Sequence, residues 1–317
     1  MLESKILKPK RLKTGDRVAV IAPSSCALLE SVEEAKKRIE ALGFEVILYP
    51  STKAHHGHLA GDATVRVQDI HDAFSDSSID GIICLKGGSG SSRLLDKIDY
   101  SIIRSNPKVF VGYSDVTGLH SAFFRQTGLV TFHGPMGISS TLTNDEYSSR
   151  GLLEAICGSA PLDIANPADQ PIVSLVPGEA EGIVVGGNLS LLISTLGSPY
   201  EIDTAGKLLL IEDVDEPLYV VDRMLSALRL AGKFKDAAGI VLGTFTNCKA
   251  EERPQGNDLP LETIFREVLY DFGKPIINNV YFGHNRPIVT LPLGIRAKMI
   301  SSEKGCKLTC LESATIE

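Results

Sequence analysis

Nucleophilic acyl chemistry needs a hydroxyl or thiol, a base to take its proton and an acid to hold the base, and this chain offers candidates for each. The stretch KVFVGYSDVTGLH, Lys108 to His120, sets Ser114 between an apolar run and the start of a helical pattern. At a sharp strand-to-helix turn the hydroxyl would stand exposed. The N–H of Asp115 would face the same spot, because the first N–H groups of a helix have no internal acceptor. The segment lacks the second glycine of the G-x-S-x-G pattern, and a serine ahead of a helix also serves as an ordinary N-cap. For the base there are His120, six residues along the helix, His133 in VTFHGPMG, and His284 in VYFGHNRPIVTLPLG. For the acid, LLLIEDVDEP delivers Glu212 from the end of an apolar strand, with Asp213, Asp215 and Glu216 crowded behind it. Periodicity does not choose among these histidines or these acids.

The elements that must position them follow from the pattern of apolar residues. DRVAVIAPSS reads as a buried strand, and SVEEAKKRIEALG as a helix with Val32, Ala35, Ile39 and Leu42 on one face, Ser31 and Glu34 forming a capping box and Gly43 ending it. FEVILYP is a second strand; the helix DATVRVQDIHDAF, capped by Asp62, the strand DGIICLKGG, the helix SSRLLDKI, the strand KVFVGYS and the helix DVTGLHSAFFRQTG follow. Alternation of this kind predicts an α/β fold with a Rossmann-like parallel sheet. Four prolines, Pro161, Pro167, Pro171 and Pro177, then interrupt regular structure. They divide the chain into a nucleophile domain at 1–165, a linker at 166–180 and a smaller, strand-rich α/β domain at 181–317. In open α/β sheets ligands gather at the carboxyl ends of strands, which is where Ser114 stands. A second such turn, LKGGSGSSR, fits neither a P-loop nor a dinucleotide fingerprint, but its adjacent glycines let backbone N–H groups approach a ligand.

Composition narrows the function. With 317 residues, 43% hydrophobic and 22% charged, the chain suits compact folding, and a formal charge of -7 gives no electrostatic reason to hold nucleic acid. The basic start KILKPKRLK reads as a solvated arm, and no apolar run reaches bilayer length, so no membrane partner is expected. Six scattered cysteines suit a reducing cytosol. Cys306 and Cys310, and the cluster His55, His56 and His58, lack the companions of a metal site, so neither metal nor cofactor is expected.

Taken together, GYSDVT, KGGSGSSRLL, LLLIEDVDEPLYVVDRML and GHNRPIVTLPLG resemble the signature segments of the serine LD-carboxypeptidases, the muramoyltetrapeptide carboxypeptidase family. GDRVAVIAPSS and GGNLSLL extend the resemblance, in the family's order, over nearly the whole chain. It implies a cytoplasmic, commonly homodimeric hydrolase with a triad of Ser114, Glu212 and His284 drawn from both domains. It also implies an oxyanion hole formed by the N–H groups of Asp115 and Gly88. The implied reaction releases terminal D-alanine from a murein tetrapeptide. Arg93, Arg223 and Arg286 are candidates for holding the substrate carboxylate. A neighbouring branch resembles the microcin C immunity peptidases, which cut aminoacyl-nucleotide amides; a tryptophan is typical of that branch, and this chain has none. A silent small-ligand binding protein on the same scaffold is the third reading.

Overall fold

The computed structural model describes residues 6–251 and 256–317. Five parallel strands, β1 (Arg17–Ile21), β2 (Glu45–Leu48), β3 (Gly81–Cys84), β4 (Val109–Gly112) and β5 (Thr131–His133), form the first sheet in the order β5-β4-β3-β1-β2. Its helices include α1 (Leu29–Glu40), α2 (Ala63–Ser75), α3 (Tyr100–Ser105) and α4 (Thr117–Thr127). The second sheet takes β6 (Asp163–Ile164), β7 (Val173–Val176), β8 (Gly178–Asn188), β9 (Leu208–Val214), β10 (Gly239–Thr246) and β11 (Ile276–Asn278). After these, β12 (Leu291–Leu293) returns to pair antiparallel with β5 on the first sheet. The strands β13 (Arg296–Ser301) and β14 (Lys307–Cys310) then complete the second sheet, in the order β6-β14-β13-β8-β9-β10-β11-β7. The run β8-β9-β10-β11 is parallel and its flanks are antiparallel. The α/β architecture with parallel strands is therefore as the alternation predicts. The proline-rich stretch 166–180 carries β7 and the start of β8, because a proline outside the hydrogen-bonded positions does not prevent an edge strand.

Alternation along the strands builds three layers of core. In β1, Val18 and Val20 face a cluster shared with the second sheet, while Ala19 and Ile21 face the cluster under α2 and α4. In β9, Leu208 and Leu210 enter the same shared cluster, while Leu209 and Ile211 pack under the helices Leu218–Leu230 and Leu261–Leu269. The shared cluster thus joins both sheets into one buried body. No helix among the described residues is long and apolar enough to cross a membrane.

Local departures have local causes. The helix α1 starts two residues before Ser31, with Leu28 at its N-cap and no side-chain cap, so the expected capping box is absent; ion pairs Glu34–Arg38 at 2.7 Å and Lys36–Glu40 at 3.7 Å line its exposed face instead. SSRLLDKI gives only a 3-10 turn, Ser91–Arg93, because Ser91 is bonded to Asp115 rather than continuing a helix. The basic arm is docked where it is described: Lys8 pairs with Glu312 at 2.6 Å, Leu12 is buried, and Leu7 exchanges backbone bonds with Gly128 and Val130; Lys5 lies outside the described residues.

The segment GGN closes the join between the sheets. Asn188 N–H donates to Thr117 Oγ1 at 3.0 Å, and a Cβ on Gly187, whose φ is +141°, would stand 2.6 Å from that same oxygen. Gly187→Ala is therefore expected to lower the unfolding free energy by about 2 kcal/mol, from backbone strain and overpacking. Gly151→Ala, in a helix with open space around it, should gain up to about 1 kcal/mol. Urea unfolding of the two variants checks both signs.

Candidate active site

Strand parity decides which acid enters the join. Glu212 continues the series Leu208 and Leu210, so its side chain turns toward the shared core and is fully buried. Asp213 turns the other way and is used locally: its oxygens accept from Asn188 Nδ2 at 2.9 Å, Ser190 Oγ at 2.8 Å and Val214 N–H at 2.8 Å. His284 follows Gly283, which has φ of +110° and approaches so closely that a Cβ would lie 2.3 Å from Glu212 Oε2. Asn285 pins the loop by accepting from Thr244 Oγ1 at 2.8 Å and donating to the carbonyls of Tyr281 and Pro287.

Ser114 is not an N-cap. It opens a 3-10 turn, Ser114–Val116, with φ of +64°, a left-handed conformation that a non-glycine residue adopts only when its surroundings impose it. That turn aims Oγ at the second domain, where His284 Nε2 lies 3.0 Å away. On its other side, His284 Nδ1 lies 2.9 Å from Glu212 Oε2. A carboxylate only accepts, so Nδ1 carries the proton and Nε2 is left to accept from the serine hydroxyl. Burial pushes the Glu212 carboxyl above the usual carboxylate range, and the hydrogen bond and charge of His284 pull it back. The Tyr113 ring sits edge-on against His284 with centroids 5.1 Å apart.

Two backbone donors, one after the serine and one after Gly87, are unpaired. Neither Asp115 N–H nor Gly88 N–H donates to any acceptor among the described residues. Asp115 is buried, and its carboxylate accepts from Ser91 N–H at 2.8 Å. Gly87 packs directly on the Ser114 turn: a Cβ there would be 2.9 Å from Ser114 Cβ and 3.5 Å from Asp115 N. The arrangement can activate a hydroxyl and receive negative charge next to it, which is the geometry of acyl transfer.

The other two candidate histidines, His120 and His133, are packed in the core. His120 is buried, bonded to Thr131 Oγ1 at 2.8 Å and Gly112 O at 2.9 Å, and its pKa is pushed down to about 4 by burial. His133 is buried with both ring nitrogens unpartnered, packed against Tyr113 and Phe282, and burial drives it well below its ordinary value. Arg93, Arg223 and Arg286 are exposed, and none forms an ion pair among the described residues. Two residues that sequence reasoning passed over also converge here. Ser25 touches the glycine-rich turn, and Arg66 is a fully buried cation beneath it. Arg66 lies on the apolar stripe of DATVRVQDIHDAF, which points to its burial but not to its partners.

Comparison with known proteins identifies the family. The chain matches the LD-carboxypeptidase N-terminal domain over residues 18–134 and the LD-carboxypeptidase C-terminal domain over 181–299. It is 42% identical over 302 residues to a probable murein peptide carboxypeptidase of Bacillus subtilis, covering 94% of this chain and 92% of that protein. To a murein tetrapeptide carboxypeptidase of Pseudomonas aeruginosa it is 31% identical over 286 residues, 88% of this chain and 91% of that one. The crystal structure of an MccF-like protein from Bacillus anthracis superposes with a TM-score of 0.85 at 31% identity, covering 96% of this chain and 99% of that chain.

The buried histidines set an acid limit. The folded-state pKa of His120, about 4, lies below its ordinary 6.5, so as pH falls the unfolded chain takes up the proton first. The stability of the neutral form is present above about pH 6.5 and is lost down to about pH 4, amounting to about 3 kcal/mol over the whole window. His133 acts in the same direction. Urea midpoints at pH 7 and pH 4.5 should show this loss, and His133→Leu, which removes two unpartnered nitrogens, should flatten the dependence without lowering stability at pH 7.

Proposed function

The chain belongs to the LD-carboxypeptidase family, and from that premise we propose that it releases terminal D-alanine from murein tetrapeptides by serine acyl transfer. The observation that carries this reading is the relay of Ser114 Oγ, His284 and Glu212 at 3.0 and 2.9 Å, set beside two unpaired N–H groups.

In this reading Ser114 Oγ attacks the carbonyl of the third residue while His284 Nε2 takes the hydroxyl proton. The carbonyl oxygen becomes an oxyanion facing the N–H groups of Asp115 and Gly88, each such donor being worth about 3 kcal/mol in the transition state. Glu212, already hydrogen-bonded to Nδ1, stabilises the imidazolium and fixes its orientation. His284 then gives its proton to the departing amine of D-alanine, leaving an acyl-serine. Water attacks that ester as His284 again takes a proton, and the proton returns to Ser114 when the tripeptide carboxylate leaves. Ser114 is half-buried and Gly88 is exposed, which suits access by a small peptide end. A cytoplasmic location and a homodimer belong to the same proposal; the six cysteines are all free thiols, in keeping with a reducing compartment.

Incubation with L-Ala-γ-D-Glu-meso-diaminopimelate-D-Ala, followed by mass spectrometry, tests the reading. The wild type should release D-alanine, Ser114→Ala should lose about ten-thousand-fold or more in turnover, and Glu212→Gln about a thousand-fold or more, with folding kept. A folded wild type that leaves the peptide intact but hydrolyses an aminoacyl-nucleotide amide would replace this substrate with the microcin-type one. Tight ligand retention with no turnover of either would leave a binding protein.

A further inference from the structure

Beneath the glycine-rich turn lies a buried cation that the relay does not use. Arg66, on α2, is 1% exposed, and its Nη1 donates to Pro23 O at 2.7 Å and to Gly90 O at 2.9 Å. These carbonyls belong to the two loops that leave the carboxyl ends of β1 and β3, so one guanidinium nitrogen ties both loops at their roots. Asp115, the residue after the nucleophile, supplies facing negative charge. Above this tie the same loops are laced again. Ser25 N–H donates to Gly87 O at 3.3 Å, Ser89 N–H donates to Ser25 Oγ at 3.1 Å, and Lys86 Nζ donates to Cys26 O at 3.2 Å.

The lacing fixes a direction. Gly87 C=O and Gly88 N–H belong to one planar trans peptide, so they point in opposite senses. With its carbonyl held by Ser25 on the β1 side, the peptide turns its N–H away from that side, and Gly87 itself lies against Ser114 on its other flank. The loop continues from Gly90 into Ser91, whose N–H and Oγ grip Asp115 Oδ2 at 2.8 Å and Asp115 O at 2.5 Å. One continuous set of bonds therefore runs from Arg66 to both unpaired donors.

We propose that the side chains of Arg66 and Ser25 are positioning groups for the oxyanion hole: by tying Pro23, Gly90 and Ser89 they fix the two loops so that the Gly87–Gly88 peptide, whose carbonyl the Ser25 backbone N–H holds, presents Gly88 N–H beside Ser114. This rests on the acyl-transfer reading above but not on the identity of the peptide. The group to be received is any carbonyl or phosphoryl oxygen that gains negative charge as Ser114 attacks.

The test therefore has two readouts: kcat and KM for D-alanine release, and the rate at which a fluorophosphonate labels Ser114, whose phosphoryl oxygen needs the same donors whatever the peptide specificity. Ser25→Ala removes the acceptor for Ser89, Ser25→Thr keeps it, and Arg66→Lys keeps the charge but loses the two-carbonyl bridge. Ser25→Ala and Arg66→Lys should each lower kcat and the labelling rate by about 10- to 100-fold, somewhat less than deletion of a donor outright, with KM changed less than about threefold. Ser25→Thr should stay within about threefold of the wild type. If Arg66→Lys does not fold, the two Ser25 variants decide. Folded Ser25→Ala with unchanged kcat and labelling overturns the proposal, as does a loss confined to KM. A wild type that is labelled but leaves the tetrapeptide intact ends the substrate reading alone, and the labelling rates still judge Ser25 and Arg66. A wild type that is neither labelled nor active overturns both.

Discussion

Glu212 is a carboxylate with no access to water, and the join between the two sheets is arranged around that fact. An isolated buried charge is costly, and here the chief compensation comes from His284, with a smaller contribution from Asn188. The histidine must therefore arrive at one distance and one angle. It does so because the loop that carries it passes over the carboxylate at a glycine, Gly283, with no room for a side chain, and because Asn285 fastens that loop to β10 through Thr244. Burial of the acid and placement of the base are thus a single constraint.

The same constraint explains the strain at Ser114. A left-handed backbone at a non-glycine residue costs about 1–3 kcal/mol and persists only where neighbours over-determine it. Ser114 is held from three directions: Ser91 grips Asp115, Gly87 packs on its Cβ, and Thr117 receives the backbone of Asn188 from the other sheet. The turn is then short enough to leave Asp115 N–H unpaired and to direct Oγ at His284. Relaxing the serine into an ordinary N-cap would spend its hydroxyl on a backbone N–H two or three residues on.

Much of the frame was legible in the sequence, for physical reasons that also mark where legibility ends. The strands DRVAVIAPSS and LLLIEDVDEP declare themselves because burial on both faces demands unbroken apolar residues, and Asp62 does cap α2 by accepting from Val65 N–H at 3.0 Å. The choice of Glu212 over Asp213 was latent in the alternation of β9, but only once it is known which face meets the other sheet. By pattern alone His284 was not separable from His120, inside α4, or His133, at the end of β5; tertiary contacts distinguish them. SSRLLDKI reads as a helix on its own, and the bonds of Ser91 to a residue 24 positions away override that preference. Arg66 was hidden for the opposite reason: a charged residue on a helix is ordinarily assigned to solvent, and nothing local shows that two loop carbonyls wait for it.

Distribution of the relay over two sheets raises the question of what prevents them from parting. Interfaces between domains of one chain are commonly polar enough to permit hinge motion, yet here the cluster that contains Val18 and Val111 also contains Leu210 and Val241. The strand β12, late in the chain, crosses back to pair with β5 on the first sheet. Separation would therefore expose core and break a strand ladder together. Its free-energy scale is that of unfolding rather than of domain opening. Side chains spaced at hydrogen-bond distance across such a join, as Ser114, His284 and Glu212 are, are held by the same burial that folds the chain.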